Sequence, residues 1–298
     1  MNIKHILIPT DFSETAELAI AHGAYMANLF KAKIFLFHSL ETIIYTAAPG
    51  EPILLMDSEA AQQEAADKKL NQVADEIVKK YKIEVSILKA VGKASKGIAD
   101  AVKENKIDIV IMGTHGASGF EEFFVGSNTH KVTNLAPCPV LSVQKFAKKV
   151  GFSNIIMPID NDLHSRQKVN NVIELATAYK STVHILGLVE KDDDALDEKK
   201  FEIKLDSVEH SLKHANIPFV KKVVKADNLA IEAMKYAEKV GGDLIVIMSD
   251  HESNLTGMFM GAYAQQIVNH SKIPVMSIKP QQTTIEAFDP MGGTGVII

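Results

Sequence analysis

Apolar residues in this chain fall into short unbroken runs, separated by longer stretches in which they recur every third or fourth position. His5-Ile6-Leu7-Ile8-Pro9, Ile107-Asp108-Ile109-Val110-Ile111-Met112 and Pro139-Val140-Leu141-Ser142-Val143 are runs of the first kind. Ala16, Ile20, Ala24 and Ala27 follow the spacing of one helix face. Read this way, the pattern predicts strands near 3–9, 33–39, 83–91, 107–112 and 139–145, and helices near 13–30, 58–81, 94–105 and 127–136. Runs that are continuous rather than alternating mean strands covered on both faces, hence a parallel sheet wrapped by helices.

The pattern then repeats. His5-Ile6-Leu7-Ile8-Pro9-Thr10-Asp11 is echoed by Asn154-Ile155-Ile156-Met157-Pro158-Ile159-Asp160, and Pro139-Val140-Leu141-Ser142-Val143 by Pro274-Val275-Met276-Ser277-Ile278. Ile111-Met112-Gly113-Thr114-His115 pairs with Ile247-Met248-Ser249-Asp250-His251. Three matches in one order indicate a tandem duplication. Second-half strands are expected near 153–159, 181–189, 217–225, 243–248 and 274–279. The halves are 1–147 and 151–280, joined by a polar stretch at Lys148-Lys149-Val150-Gly151. Residues 281–298 fall outside the repeat and read as a surface arm or a disordered tail.

One loop concentrates the chemistry. Residues 113–128, GTHGASGFEEFFVGSN, follow the fourth strand, where an open parallel sheet places its ligands. Gly113 and Gly116 let backbone N–H groups approach a ligand closely. Gly126-Ser127-Asn128 opens the next helix, whose free N–H groups and dipole favour an anion. The plainer alternative is glycines that serve a surface loop. On the pairing above, the second half keeps only Gly261: Gly113 becomes Ser249, Gly116 becomes Glu252, Ser127 becomes Ala262, and the loop is one residue shorter. Glu252, Asp250, Asp160 and Asp162 then put carboxylates where a phosphate would sit, an arrangement that repels nucleotide. As a cluster they read as solvated loop edges rather than a cation site.

Composition narrows the rest. A chain of 298 residues with 46% hydrophobic and 23% charged residues suits two globular units. A net charge of −5 argues against bulk nucleic-acid binding. No stretch is long and apolar enough for a membrane span, Cys138 has no partner for an intrachain disulfide, and a reducing cytoplasm is the expected location. A dinucleotide fingerprint is missing after the first strand, Gly92-Lys93-Ala94 lacks the earlier glycine and the hydroxyl of a Walker loop, and no Cys/His set has zinc spacing.

Gly113-x-x-Gly116, nine residues, then Gly126-Ser127 resembles the nucleotide-binding pattern of the universal stress protein family. Pro9-Thr10-Asp11 and Pro137-x-Pro139-Val140 resemble that family as well, and the likeness runs through nearly the whole chain twice. It implies an α/β fold of two tandem open, mostly parallel five-stranded sheets with helices on both faces, Rossmann-like and adenine nucleotide alpha hydrolase-like. It further implies ATP, or ADP or AMP, with or without Mg²⁺, held in the first half. Asp11 would contact the adenosine, with Pro9 and Thr10 beside it; its plainer role is to cap the following helix. Ser39 would offer backbone to adenine, and Val91 and Gly92 would border the pocket. Met112, Gly113, Gly116, Gly126, Ser127 and Asn128 would surround the phosphates with His115 close by, His115 also reading as a solvent-facing loop residue. His38 reads as a packed imidazole.

The functional expectation is an adenine-nucleotide-binding stress-response regulator acting through an unidentified protein partner, without catalysis. The alternatives are a slow ATPase or phosphotransferase using His115 and Asp11, and a nucleotide-free scaffold. The resemblance also implies dimers formed by pairing edge strands of two domains. A tandem chain can make that pairing internally through 140–143 and 275–278, with a homodimer through edge strands or the tail as a further association.

Overall fold

The structure, a computed structural model, describes residues 2–40, 45–48, 51–53, 56–114, 126–191, 195–249 and 261–280. In the first half the order is β1 (His5–Pro9), α1 (Glu14–Phe30), β2 (Lys33–Leu40), β3 (Tyr45–Ala48), β4 (Glu51–Ile53), α2 (Met56–Tyr81), β5 (Val85–Val91), α3 (Ala94–Glu104), β6 (Ile109–Gly113), α4 (Ser127–Leu135) and β7 (Val140–Val143). The second half runs β8 (Asn154–Ile159), α5 (Val169–Tyr179), β9 (Thr182–Glu190), α6 (Ala195–His214), β10 (Phe219–Ala226), α7 (Leu229–Val240), β11 (Leu244–Met248), α8 (Ala262–His270) and β12 (Val275–Ile278).

Each expected element of the repeat is present within a few residues. The antiparallel β3–β4 pair was not anticipated; its one sequence signal is Pro49-Gly50, a turn-forming dipeptide between the two strands. No helix among the described residues is long and apolar enough to cross a membrane.

Ten strands form one sheet in the order β10-β9-β8-β11-β12-β7-β6-β1-β2-β5. Pairing is parallel within each half and antiparallel between β7 and β12, where Leu141 faces Met276 and Ser142 faces Val275. Both strands are fully buried. Internal pairing of these two edges therefore holds. A homodimer through the same edges does not fit, because β7 is flanked by β6 and β12, and β12 by β11 and β7. Residues 281–298, the other surface expected to support a homodimer, lie outside the described residues.

Alternate side chains of one strand enter different cores, as unbroken apolar runs require. Ile6, Ile8, Ile109 and Ile111 join a core with Ala24 and Met26 of α1, whereas Leu7, Val110 and Met112 join another with Ile98 of α3 and Val132 of α4. The first of these cores continues across the seam into the second half through Leu141, Met276, Ile155 and Val172.

From Asp108 and Asp243 onward the two halves correspond at a single offset that the strand ladders fix. Asp108 accepts from the N–H groups of Lys4 and His5, and Asp243 from those of Ser153 and Asn154. Thr114 N–H donates to the carbonyl of Val143, and Ser249 N–H to that of Ile278. Gly113 is thus the counterpart of Met248, and Thr114 of Ser249. The pairing of Gly113 with Ser249 expected from Ile-Met identity is one residue out. On the corrected register the loops before α4 and α8 have equal length, and Gly116 corresponds to His251 rather than Glu252.

Candidate functional site

Three segments meet at the carboxyl ends of β1, β2 and β6. The first is the turn after β1. Thr10 N–H donates to the carbonyl of Phe37, which ties the turn to β2, and Thr10 Oγ1 accepts from Phe12 N–H at 3.0 Å. Asp11 Oδ1 accepts from both the N–H and the hydroxyl of Ser13, at 3.1 and 2.6 Å. Ser13, not Asp11, is the N-cap of α1, accepting from Ala16 N–H. The capping alternative for Asp11 is therefore replaced by a different role: its carboxylate steadies the residue that caps.

The second segment is the end of β2. His38 Nδ1 lies 2.7 Å from the carbonyl of Thr10. A carbonyl only accepts, so Nδ1 carries a proton and a neutral ring leaves Nε2 as an acceptor. The Ser39 hydroxyl donates to the carbonyl of Gly92 at 2.9 Å.

The third is the start of α4. Gly126 is its N-cap and supplies no side-chain hydrogen bond, so the first-turn N–H groups are left without the cap that Ser or Asp provides. Thr129 Oγ1 donates to the carbonyl of Gly113, docking this helix start against the end of β6.

Together the three enclose a cavity of about 300 Å³, within the range of small-molecule sites. Of the expected residues, Pro9, Thr10, Asp11, Ser39, Met112, Gly113, Gly126, Ser127 and Asn128 line it. Ser13, His38, Thr114 and Thr129 line it too. Thr114 and Thr129 were not anticipated; their nearness to the glycine motif was the available signal. Val91 and Gly92 stand outside the lining. Val91 is 73% exposed, and Gly92 reaches the site only through its bond to Ser39. His115 and Gly116 lie outside the described residues.

Gly113 has a structural reason as well as a functional one. A Cβ there would stand 2.8 Å from the carbonyl carbon of Thr15, so glycine is what allows the first turn of α1 to close against β6. Its counterpart Met248 carries a buried side chain, and α5 opens at Val169, six residues later than α1 does on the repeat.

The corresponding recess of the second half, about 580 Å³, has an inverted chemistry. Asp160, Asp162, Glu190 and Asp227 line it, and Ala262 replaces Ser127. Lys204 donates to the main-chain carbonyls of Asp160 and Asp162. Asp250 and Glu252 lie outside the described residues. Among the described residues no group of three or more His, Cys, Asp or Glu is arranged to hold a metal. Burial pushes the Cys138 thiol up to about 12, as suits a packed residue rather than a nucleophile.

The family model described as "Universal stress protein family" matches residues 2–144 and again 151–279. This chain belongs to the universal stress protein family. It is 30% identical over 148 residues to Universal stress protein MJ0531 of Methanocaldococcus jannaschii, a match covering 49% of this chain and 85% of that one. Universal stress protein MJ0577 of the same organism is 28% identical over 155 residues, covering 48% and 95%. A universal stress protein from Archaeoglobus fulgidus matches the two halves together. Its crystal structure has a TM-score of 0.75 at 16% identity, over 92% of this chain and 98% of that one. The tandem arrangement and the α/β sheet with helices on both faces are thus those of universal stress proteins.

Proposed function

We propose that the first half binds an adenine nucleotide, ATP, ADP or AMP, and that the second half serves as a structural or regulatory companion. One observation carries this: Asp11 with Ser13, the end of β2 at Ser39, and the uncapped start of α4 converge on a single cavity. A carboxylate and hydroxyls at one end suit ribose hydroxyls. Main-chain N–H groups at a helix start suit phosphate without any lysine or arginine among the lining residues. Mg²⁺ would be held chiefly through the phosphates. The reading is one of binding with output to a protein partner in a stress response, in the cytoplasm, and without turnover. The sheet edges open to a second copy are β5 and β10.

Calorimetric titration of the full chain with ATP tests it. The expected stoichiometry is about one, with affinity weakened about tenfold or more in Asp11→Ala, the scale of a lost hydrogen bond to a charged group. Asp160→Ala should leave affinity unchanged. Absence of binding, or equal affinity in Asp11→Ala, overturns the reading, and a phosphate-release assay with Mg²⁺ separates binding from hydrolysis.

A further inference from the structure

Six non-glycine residues among those described have a left-handed backbone: Phe12, Lys31, Lys82, Lys106, Lys180 and Asn216. Five have simple places in the repeat. Lys31 and Lys180 end α1 and α5, Lys82 and Asn216 follow α2 and α6, and Lys106 matches Gly241, the cap of α7. Phe12, with φ of 65°, has no left-handed counterpart. Its equivalent Asn161 belongs to a residue type that tolerates this conformation far better than an aromatic, yet it does not adopt it. The strain is kept only in the half that keeps the glycine motif.

The strained residue sits between two that line the cavity, Asp11 and Ser13, and its own side chain leaves in another direction. The Phe12 ring packs on His38 at 4.7 Å between centroids, and the ammonium of Lys69 lies 4.8 Å from its centroid. Lys69 belongs to α2. Phe12 and Thr15 also line a groove of about 750 Å³, whose far wall is Lys69, Val73 and Ile77 of α2. Phe12 therefore spans the space between the cavity turn and a helix that contributes no residue to the cavity lining.

We propose that the Thr10–Ser13 turn is a strained relay that reports occupancy of the cavity to α2, with the Phe12 ring as its moving part. It rests on the nucleotide reading above. A left-handed aromatic persists only when its surroundings hold it, here Thr10 Oγ1 on Phe12 N–H and Asp11 on Ser13. Without ligand the turn makes excursions that lift the ring from Lys69. A ligand that engages Asp11 and Ser13 suppresses those excursions, and α2 gains protection.

Hydrogen exchange of the full chain, with and without ATP, tests the relay in the native sequence and in Phe12→Gly. Glycine adopts this φ without strain, so the variant removes ring and strain but keeps the turn. In the native protein ATP should slow exchange across residues 66–80 about fivefold, a modest change in local opening. Phe12→Gly should still bind ATP in a parallel titration, exchange faster over 66–80 without ligand, and show no further slowing with it. Lys69→Met keeps the aliphatic stem but not the charge and should reduce the native response. Equal slowing by ATP in Phe12→Gly overturns the relay, as does a native protein that binds ATP without any change in α2. If the native protein fails to bind ATP, the nucleotide reading falls, and unchanged unliganded exchange in Phe12→Gly then overturns the relay on its own.

Discussion

The ammonium of Lys279, at the end of β12, donates to the main-chain carbonyl of Asn134 in the last turn of α4. A residue of the second half thus supplies a cation to the carboxyl end of the helix whose other end faces the cavity. Such placement is favourable to the helix dipole. Burial opposes it and holds the Lys279 ammonium below the usual lysine range. The balance predicts that Lys279→Ala costs about 1.5 kcal/mol of stability, at the low end for a charged hydrogen bond. Urea unfolding of the two proteins measures it, and an unchanged midpoint would count against a structural role for this contact.

Gly113 carries a second prediction. Because a side chain there would meet the main chain of Thr15, Gly113→Val should destabilise the fold by about 1–3 kcal/mol, the range for overpacking. The loss should appear without any ligand present. Unaltered stability with loss of nucleotide binding would show instead that the glycine serves only the ligand.

His22 predicts a pH dependence. Its ring is buried between α1 and the segment joining the halves, with Nε2 at 3.0 Å from the carbonyl of Ala147 and the Phe152 ring stacked at 5.6 Å. Burial lowers its pKa, opposed by the Ala147 carbonyl and the nearby charge of Asp243. The neutral ring is therefore the form that fits. Its contribution is complete above the unfolded value of 6.5, declines as pH falls through the lowered folded value, and changes no further below it. Thermal melts from pH 7.5 to 5 should show this decline, and His22→Gln should flatten it. Parallel slopes in both proteins would assign the pH dependence to other groups.

The paired seam predicts a larger effect. Leu141 is fully buried opposite Met276, so Leu141→Lys introduces a charge among apolar neighbours and should cost more than about 4 kcal/mol. Hydrogen exchange at 140–143 and 275–278 checks the pairing directly. Free exchange of both segments in the native protein would refute it.

Sequence periodicity located the ten sheet strands and the four helices of the first half because both-face burial leaves unbroken apolar runs and amphipathic helices leave theirs at helical spacing. It placed the fourth strand of the second half correctly but paired it with its first-half counterpart one residue out, since Ile111-Met112 and Ile247-Met248 match in identity while the ladders align Ile111 with Val246. The spacing of Asp108 and Asp243 was the better marker. Each carboxylate receives two N–H groups at the start of a first strand, a role that apolar identity does not reveal. Asp11 and Ser39 were legible at the site because strand ends mark ligand positions in such sheets. The left-handed turn at Phe12 was not, because nothing in a phenylalanine announces a positive φ.

Antiparallel pairing of β7 with β12 also governs how two copies of one sequence came to be joined. It points the strands of the two halves in opposite directions, so the sheet edge where β7 finishes is the edge where β8 begins. The ten residues between Val143 and Asn154 need only move sideways. With a parallel seam they would have to travel back along the length of a strand as well. A head-to-tail fusion of two such units can therefore close with a short connection. Shortening that connection should tax the lateral step, whereas lengthening it should cost little, since loop closure grows only slowly with length.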